Sequence, residues 1–407
     1  MSTEIARTMA AKVLELSRSF PCVMVTGARQ VGKSTMLKSL LPDGMRYVTL
    51  DDERVLGRAK EDPIGFLEEY GSPLCIDEVQ YEPRLLRAIK LKVDESGEPG
   101  QYWLTGSQRF HLMKGVSESL AGRVGIAELY SLSQMEVAGK GRSAEPFYPD
   151  EMKQRIGTPA CNITELYERI WRGGYPRLFR YSETSQEDYF SAYLHTYISR
   201  DVRALTQVGD TSSFMRFMRS VAARSGQQLV YADLARDADV SPNTAKNWLA
   251  VLETSGVIDI LPPYYVNTSK RLTKSPKVYF TDTGFCAWLG GWGNPHQLMN
   301  GAMAGAILET WVYGQLRRSY ANRGVRPQMC YYRSGNGAEV DFIVEMNGRL
   351  YPMEVKRSSS PKLSDLRAVA TIPLAPGVEM QPGVVLCTAT EILPLGNGCY
   401  AYPISMI

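Results

Sequence analysis

The chain has 407 residues, 44% hydrophobic and 22% charged, with 46 basic against 43 acidic side chains and a formal net charge of +3. That length predicts two or three domains with cores large enough to need no disulfides. The balance excludes a disordered, collagen-like or polycationic chain, so any nucleic-acid contact must be a local patch.

Three histidines (His111, His195, His296) and seven dispersed cysteines without a C-x-x-C pair exclude zinc fingers, and the odd cysteine count suits a reducing compartment. The first twenty residues carry charge every few positions and lack the apolar stretch of a secretory signal. No run of 18 apolar residues occurs anywhere in the sequence. These features predict a soluble cytoplasmic protein with no membrane partner.

In chain order, Ile5, Met9, Val13 and Leu16 have helical spacing. The apolar run 22–27 ends in Gly and predicts a buried strand. Helical and strand-like stretches then alternate: 36–41 helix, 46–50 strand, 64–70 helix, 73–77 strand, 83–95 helix, and strands at 101–106 and 126–132. This alternation predicts an α/β fold, a parallel sheet covered on both faces, over residues 1–135. The polar, Gly- and Pro-rich stretch 140–160 predicts a linker or surface excursion. Residues 136–213 are expected to hold this linker and a helical lid broken at Gly173-Gly174-Tyr175-Pro176. Residues 214–292 are the next expected domain, within which 229–261 reads helix, turn, helix, strand, with Ser241 as N-cap and Pro242 in the first turn. Residues 293–407 predict a small α/β domain, a helix over 305–318 followed by short strands.

Gly27-Ala28-Arg29-Gln30-Val31-Gly32-Lys33-Ser34, followed by Thr35, matches G-x-x-x-x-G-K-[ST] between a strand and a helix. Such a loop turns backbone N–H groups toward a β-phosphate, with the helix N-terminus adding positive potential. Lys33 is the expected partner of the β- and γ-phosphates of ATP, and Ser34 of Mg²⁺. Asp77 and Glu78 end a predicted strand at the edge where ligands bind in such sheets. Asp77 is the candidate for the Mg²⁺ shell and Glu78 for the general base. Ser107, with Gln108 next, ends a further strand, and fits either a γ-phosphate sensor or a helix cap. Arg123 fits either an arginine finger reaching a neighbouring subunit in a homo-oligomer, or a surface ion pair.

On these motifs, residues 1–135 resemble the AAA-type P-loop ATPases. The Gly173–Pro176 break resembles the Gly-x-Pro turn of the archaeal-ATPase and signal-transducing branch. That resemblance implies that Tyr175 and Pro176 pack on the nucleotide base; an ordinary helix-breaking turn is the alternative.

The 214–282 segment looks like a winged helix. Asn243, Thr244, Lys246 and Asn247 would face DNA, and the basic stretch 267–277 would be the wing. Packing as an internal lid is the equal alternative. Further on, Asp341, Glu354 and Lys356, with Glu309 as a further ligand, resemble the D-(x)n-E-x-K set of restriction-endonuclease-like and Holliday-junction-resolvase nucleases. Cross-strand charge pairing is the alternative. The order of parts, with Phe280–Gly284 and Tyr197–Asp201, resembles a prokaryotic ATPase family whose C-terminal half has no assigned function. The expectation is a Mg²⁺-dependent ATPase that rearranges its C-terminal parts, acting on DNA. An ATP-gated nuclease and an ATP-binding regulatory switch with little turnover are the alternatives.

Overall fold

The computed structural model describes residues 5–107, 119–150, 161–181, 183–197, 211–267, 269, 271 and 274–407. All five strands expected in the N-terminal part form: β1 (Cys22–Thr26), β2 (Arg46–Thr49), β3 (Leu74–Asp77), β4 (Tyr102–Gly106) and β5 (Val124–Glu128). They pair in parallel in the order β2-β3-β4-β1-β5. β1, β3 and β4 are buried along their whole length, which explains their near-continuous apolar sequences. Because β4 lies between β1 and β3, the end of β4 separates the loop after β1 from the acids that end β3. That is the carboxyl-end crevice where such sheets place ligands.

The helical region follows, with helices Ile163–Arg172, Pro176–Arg180 and Gln186–Tyr197. Next come helices Thr211–Ala222, Tyr231–Ala238 and Pro242–Thr254. They pack with a small antiparallel sheet of β6 (Gln227–Gln228), β7 (Ile258–Leu261) and β8 (Lys277–Phe280), in the order β6-β8-β7. Ser241 Oγ accepts from the Thr244 N–H and Pro242 occupies the first turn, as their sequence positions predict.

The C-terminal part is a separate sheet domain behind the helix Ala304–Ala321. Its strands are β9 (Gln328–Arg333), β10 (Glu339–Met346), β11 (Arg349–Lys356), β12 (Glu379–Met380), β13 (Val384–Cys387), β14 (Leu393–Gly396) and β15 (Cys399–Pro403). The order is β14-β15-β13-β11-β10-β9, with β12 on β11. β12 and β14 are too short, and β14 too exposed, to leave a periodic signal.

Residues 140–150 are not a free excursion. Phe147 is fully buried, the Tyr320 hydroxyl donates to the Phe147 carbonyl at 2.6 Å, and Arg323 Nε donates to the Ala144 carbonyl at 2.8 Å. The stretch is a strap on the helix Ala304–Ala321, its Gly and Pro serving a tight path rather than a loose one. One apolar core runs from Val23 and Trp103 through Tyr189 and Phe285 to Leu316 and Ile404.

Candidate nucleotide site and C-terminal acidic cluster

The loop after β1 has the conformation its glycines permit. Gly27 has φ +146°, and a Cβ there would strike the Leu129 carbonyl; Gly32, at φ +96°, ends the loop where the helix Lys33–Leu40 begins. Lys33 is buried, and its ammonium donates to the carbonyls of Gly27 at 3.0 Å and Ala28 at 2.8 Å, inside the loop. Ser34 Oγ donates to Asp77 Oδ1 at 2.9 Å, which brings the two expected Mg²⁺ partners together. Arg29 is half-buried, while Gln30 and Thr35 are exposed.

Three residues that the sequence reading passed over complete the acidic end. The Tyr47 hydroxyl donates to Asp77 Oδ2 at 2.7 Å, and burial followed by that bond raises its pKa. Thr105 Oγ1 donates to Asp77 Oδ1 and accepts from the Glu78 N–H at 3.0 Å. Gln80 Nε2 donates to Glu78 Oε2, which Ser107 Oγ also reaches at 3.3 Å. Glu78 itself has a left-handed backbone, φ +58°. Ser107 therefore sits beside Glu78; Gln108 lies outside the described residues.

Arg7 is a further residue with no sequence signal. Its guanidinium donates to the carbonyls of Val31 at 2.6 Å and Tyr130 at 2.7 Å and pairs with Glu136 at 3.1 Å. It fastens the N-terminal segment to the phosphate loop. Arg123 forks onto Asp94 of the same chain, so it would reach a neighbour only by leaving that pair. Pro176 approaches the loop, its Cγ 3.7 Å from a Cβ placed on Gly32. Tyr175 is buried among Tyr189, Phe190 and Tyr193, with ring centroids 5.1–5.8 Å away. It is part of the lid's core rather than an open platform for a base.

Asp282 ties the helical parts to this site. Its Oδ1 accepts from the N–H groups of Gly284 and Phe285 and caps the helix Thr283–Leu289. Its Oδ2 accepts from the Gly174 N–H at 2.8 Å and from Ser131 Oγ at 2.9 Å. The buried Arg318 donates to Ser131 Oγ at 2.8 Å, to the Ser131 carbonyl at 3.1 Å and to the Thr281 carbonyl at 2.6 Å. Gly256, just after the helix Pro242–Thr254, lies against the phosphate loop; a Cβ on it would come 3.4 Å from the Ala28 nitrogen. Of the Tyr197–Asp201 stretch, Tyr197 donates to or accepts from Ser255 Oγ at 2.6 Å; residues 198–201 lie outside the described residues.

The basic stretch 267–277 behaves differently from a DNA-facing wing. Arg271 pairs with Glu345 at 3.0 Å, and Lys277 is 3% exposed. Both turn toward the C-terminal domain. Lys274 is exposed, and Lys270 lies outside the described residues.

In the C-terminal domain, Asp341, Glu354 and Lys356 come together. A β-bulge between Val340 and Ile343 re-aims Asp341, whose Oδ2 accepts from the Val355 N–H at 2.8 Å. Lys356 pairs with Glu354 at 2.9 Å. Glu309 joins them through an unforeseen residue. Lys277 Nζ lies 2.9 Å from Glu309, 2.5 Å from Glu339 and 3.9 Å from Asp341. Tyr279 donates to Glu309 at 2.5 Å. Burial, with Asp341 adding to it, pushes the Glu354 carboxyl up to about 8 and the Glu309 carboxyl up to about 7. Burial works against the Lys277 charge, but Glu309, Asp341 and Glu339 together hold its pKa above the ordinary value. Among the described residues, no group of three or more His, Cys, Asp or Glu side chains is placed to hold a metal ion, and no helix is long and apolar enough to cross a membrane.

Residues 19–138 match the family model described as an AAA domain. Residues 163–296 and 304–407 match two models each described as a domain of unknown function. Uncharacterized protein Rv2008c of Mycobacterium tuberculosis is 31% identical over 96% of this chain and 85% of its own length, and Mb2031c of Mycobacterium bovis has the same values. Among solved structures, the RuvB Holliday junction branch migration motor of Thermotoga maritima aligns with TM-score 0.31 and 16% identity over 63% of this chain and 90% of that one. A signal transduction ATPase with numerous domains from Pyrococcus horikoshii aligns with TM-score 0.27 and 12% identity over 80% and 48%. Likenesses this distant carry no weight for either fold or function.

Proposed function

The chain belongs to the family of these two mycobacterial proteins and carries an AAA-type ATPase domain, and on that premise we propose that it is a Mg²⁺-dependent ATPase whose nucleotide state moves its C-terminal parts. The observation that carries this reading is the Ser34–Asp77 contact at 2.9 Å beside Lys33. A hydroxyl and a carboxylate facing each other at a glycine-lined loop fit a small divalent cation and a triphosphate. When bound, Mg²⁺ would offset charge on the β- and γ-phosphates. Lys33 would leave its two carbonyls for the phosphates. Glu78, held by Gln80 and Ser107, would take the proton of the attacking water.

The coupling rests on Asp282, Gly174 and Ser131, with Arg318 behind them. Opening of the lid turn on nucleotide binding would strain this junction and pass to the helix Thr283–Leu289 and β8. The exposed Asn243, Lys246 and Asn247 on the helix Pro242–Thr254 leave a face free for DNA. Released phosphate measured in Mg²⁺-ATP tests the enzymatic reading: Glu78→Gln should lose turnover, and unchanged turnover in that variant would refute it.

A second reading, metal-dependent phosphodiester cleavage by the C-terminal domain, is favoured by one observation: Asp341, Glu354 and Lys356 meet at the β10 bulge. Asp341 and Glu354 would hold the cation, which would supply a polarised water. Cleavage of labelled DNA that disappears in Asp341→Ala would support it; no cleavage with Mg²⁺ or Mn²⁺ would leave the domain as a scaffold.

A further inference from the structure

A cavity of about 170 Å³ lies between the lid turn, the short helix Gln134–Val137 and the helix Ala304–Ala321. Its walls are not those of the candidate nucleotide site: neither the phosphate loop nor the acids that end β3 are among the described residues that line it. Leu132, Val137, Phe179 and Trp311 make it apolar, and Gly173 and Gly174 form its wall on the lid side. A cavity of about 150 Å³ holds one benzene molecule, so this one fits a ring of that size with a polar group attached. Val137 and Arg169 line it and are exposed, which gives a ligand a way in.

The helix Ala304–Ala321 supplies the polar groups. Trp311, Gln315 and Arg318 lie at i, i+4 and i+7, share one face of it and line the cavity. Gln315 and Arg318 are 5% and 4% exposed. Arg318 uses Nε and Nη2 on the Ser131 carbonyl, the Ser131 hydroxyl and the Thr281 carbonyl. Its Nη1 makes no hydrogen bond among the described residues, and no carboxylate is paired with the guanidinium there. Burial pulls its pKa below the ordinary value, against the pull of Asp282 and Glu136. Gly314 leaves room for that nitrogen, since a Cβ there would come 2.6 Å from Nη1; glycine inside a helix is otherwise unfavourable. Gln315 is oriented by the Gln134 N–H, which donates to its Oε1 at 3.0 Å and leaves Nε2 over. Arg169 adds a second cation, and no acidic side chain is among the described residues that line the cavity.

A buried guanidinium with N–H groups to spare, set within apolar and aromatic walls, selects an anion that also carries an apolar body. Inorganic phosphate would satisfy the donors and leave the walls unfilled. We propose that this cavity binds a small aromatic carboxylate, its carboxylate on Arg318 Nη1 and Gln315 Nε2 and its ring against Trp311 and Phe179. Such a ligand sits between the lid turn and the C-terminal domain. The site stands whether or not the ATPase reading holds, because it shares no residue with the phosphate loop.

The test is fluorine nuclear magnetic resonance of para-fluorobenzoate with the full chain and no nucleotide. The wild type should broaden and shift the signal to saturation. Unlabelled benzoate should displace the probe, whereas benzyl alcohol and inorganic phosphate should not. Arg318→Met should weaken binding about tenfold or more, as loss of a hydrogen bond to a charged group does, and Arg169→Met should weaken it less. Should loss of the Ser131 and Thr281 contacts unfold Arg318→Met, Ala138→Phe decides the matter: Ala138 lines the cavity from an exposed position, and a ring there should fill the space and abolish binding. No saturable binding by the wild type would overturn the proposal. So would binding by Ala138→Phe or a folded Arg318→Met as tight as that of the wild type, or displacement by benzyl alcohol or phosphate as effective as by benzoate.

Discussion

Asp282 accepts the backbone N–H of Gly174 at 2.8 Å, so a carboxylate 108 residues further along the chain completes the lid turn beside the phosphate loop. Gly173, at φ +77°, is glycine because a Cβ there would strike the same carboxylate. Asp282→Ala would strip a cap from the helix Thr283–Leu289 and leave the Gly174 N–H and the Ser131 hydroxyl without their acceptor. The expected loss is about 3 kcal/mol of stability, the sum of a lost cap and a broken buried network, measured as the shift in urea midpoint. Asp282→Asn keeps the capping oxygen and should lose less. Equal stability of wild type and Asp282→Ala would show that this junction does not hold the lid turn in place.

Thr105 bridges the two acids, donating to Asp77 and accepting from the Glu78 backbone. Thr105→Val keeps the shape and removes both bonds. Turnover should fall about tenfold to a hundredfold while ATP affinity changes less than threefold, since a displaced base affects the chemical step more than binding. Steady-state kcat and an equilibrium Kd, determined side by side, separate the two; a loss of affinity equal to the loss of turnover would contradict this role.

For DNA, the structure divides the basic residues. Lys246 and Lys274 are exposed, whereas Arg271 is paired with Glu345. Lys246→Ala and Lys274→Ala should each weaken duplex binding and lower the slope of log K against log salt by about one, as loss of one phosphate contact does. Arg271→Ala should leave the slope unchanged. Fluorescence anisotropy across a salt series reads both, and an unchanged slope in all three variants would place DNA elsewhere or nowhere.

Much of the candidate nucleotide site was legible in the sequence, because its residues are neighbours in sequence as well as space. Gly27 to Ser34 run through one loop into the start of one helix, and Asp77 with Glu78 end one apolar strand. Tyr47, Thr105 and Arg7 were not legible: each reaches the site only through sheet order or a packed terminal segment, and none belongs to a local pattern. Lys277 shows the same limit in reverse. In a Lys- and Pro-rich stretch a cation reads as solvent-facing, yet the pairing of β8 with β7 turns this one into the C-terminal domain. The carboxylates at 341 and 354 were readable from strand alternation, but the antiparallel pairing of β10 with β11 that sets them side by side was not. Phe280–Gly284 was visible as a stretch without a chemical role; the role of Asp282 exists only once Gly174 and Ser131 stand beside it.

The most direct test of the central claim is a single binding-and-turnover comparison in Mg²⁺-ATP of the wild type, Lys33→Ala and Glu78→Gln, by equilibrium dialysis with labelled ATP followed by separation of nucleotide and product. The wild type should release ADP, Glu78→Gln should retain intact ATP, and Lys33→Ala should bind at least tenfold more weakly. Undiminished binding by Lys33→Ala, or ADP formation by Glu78→Gln at the wild-type rate, would contradict it.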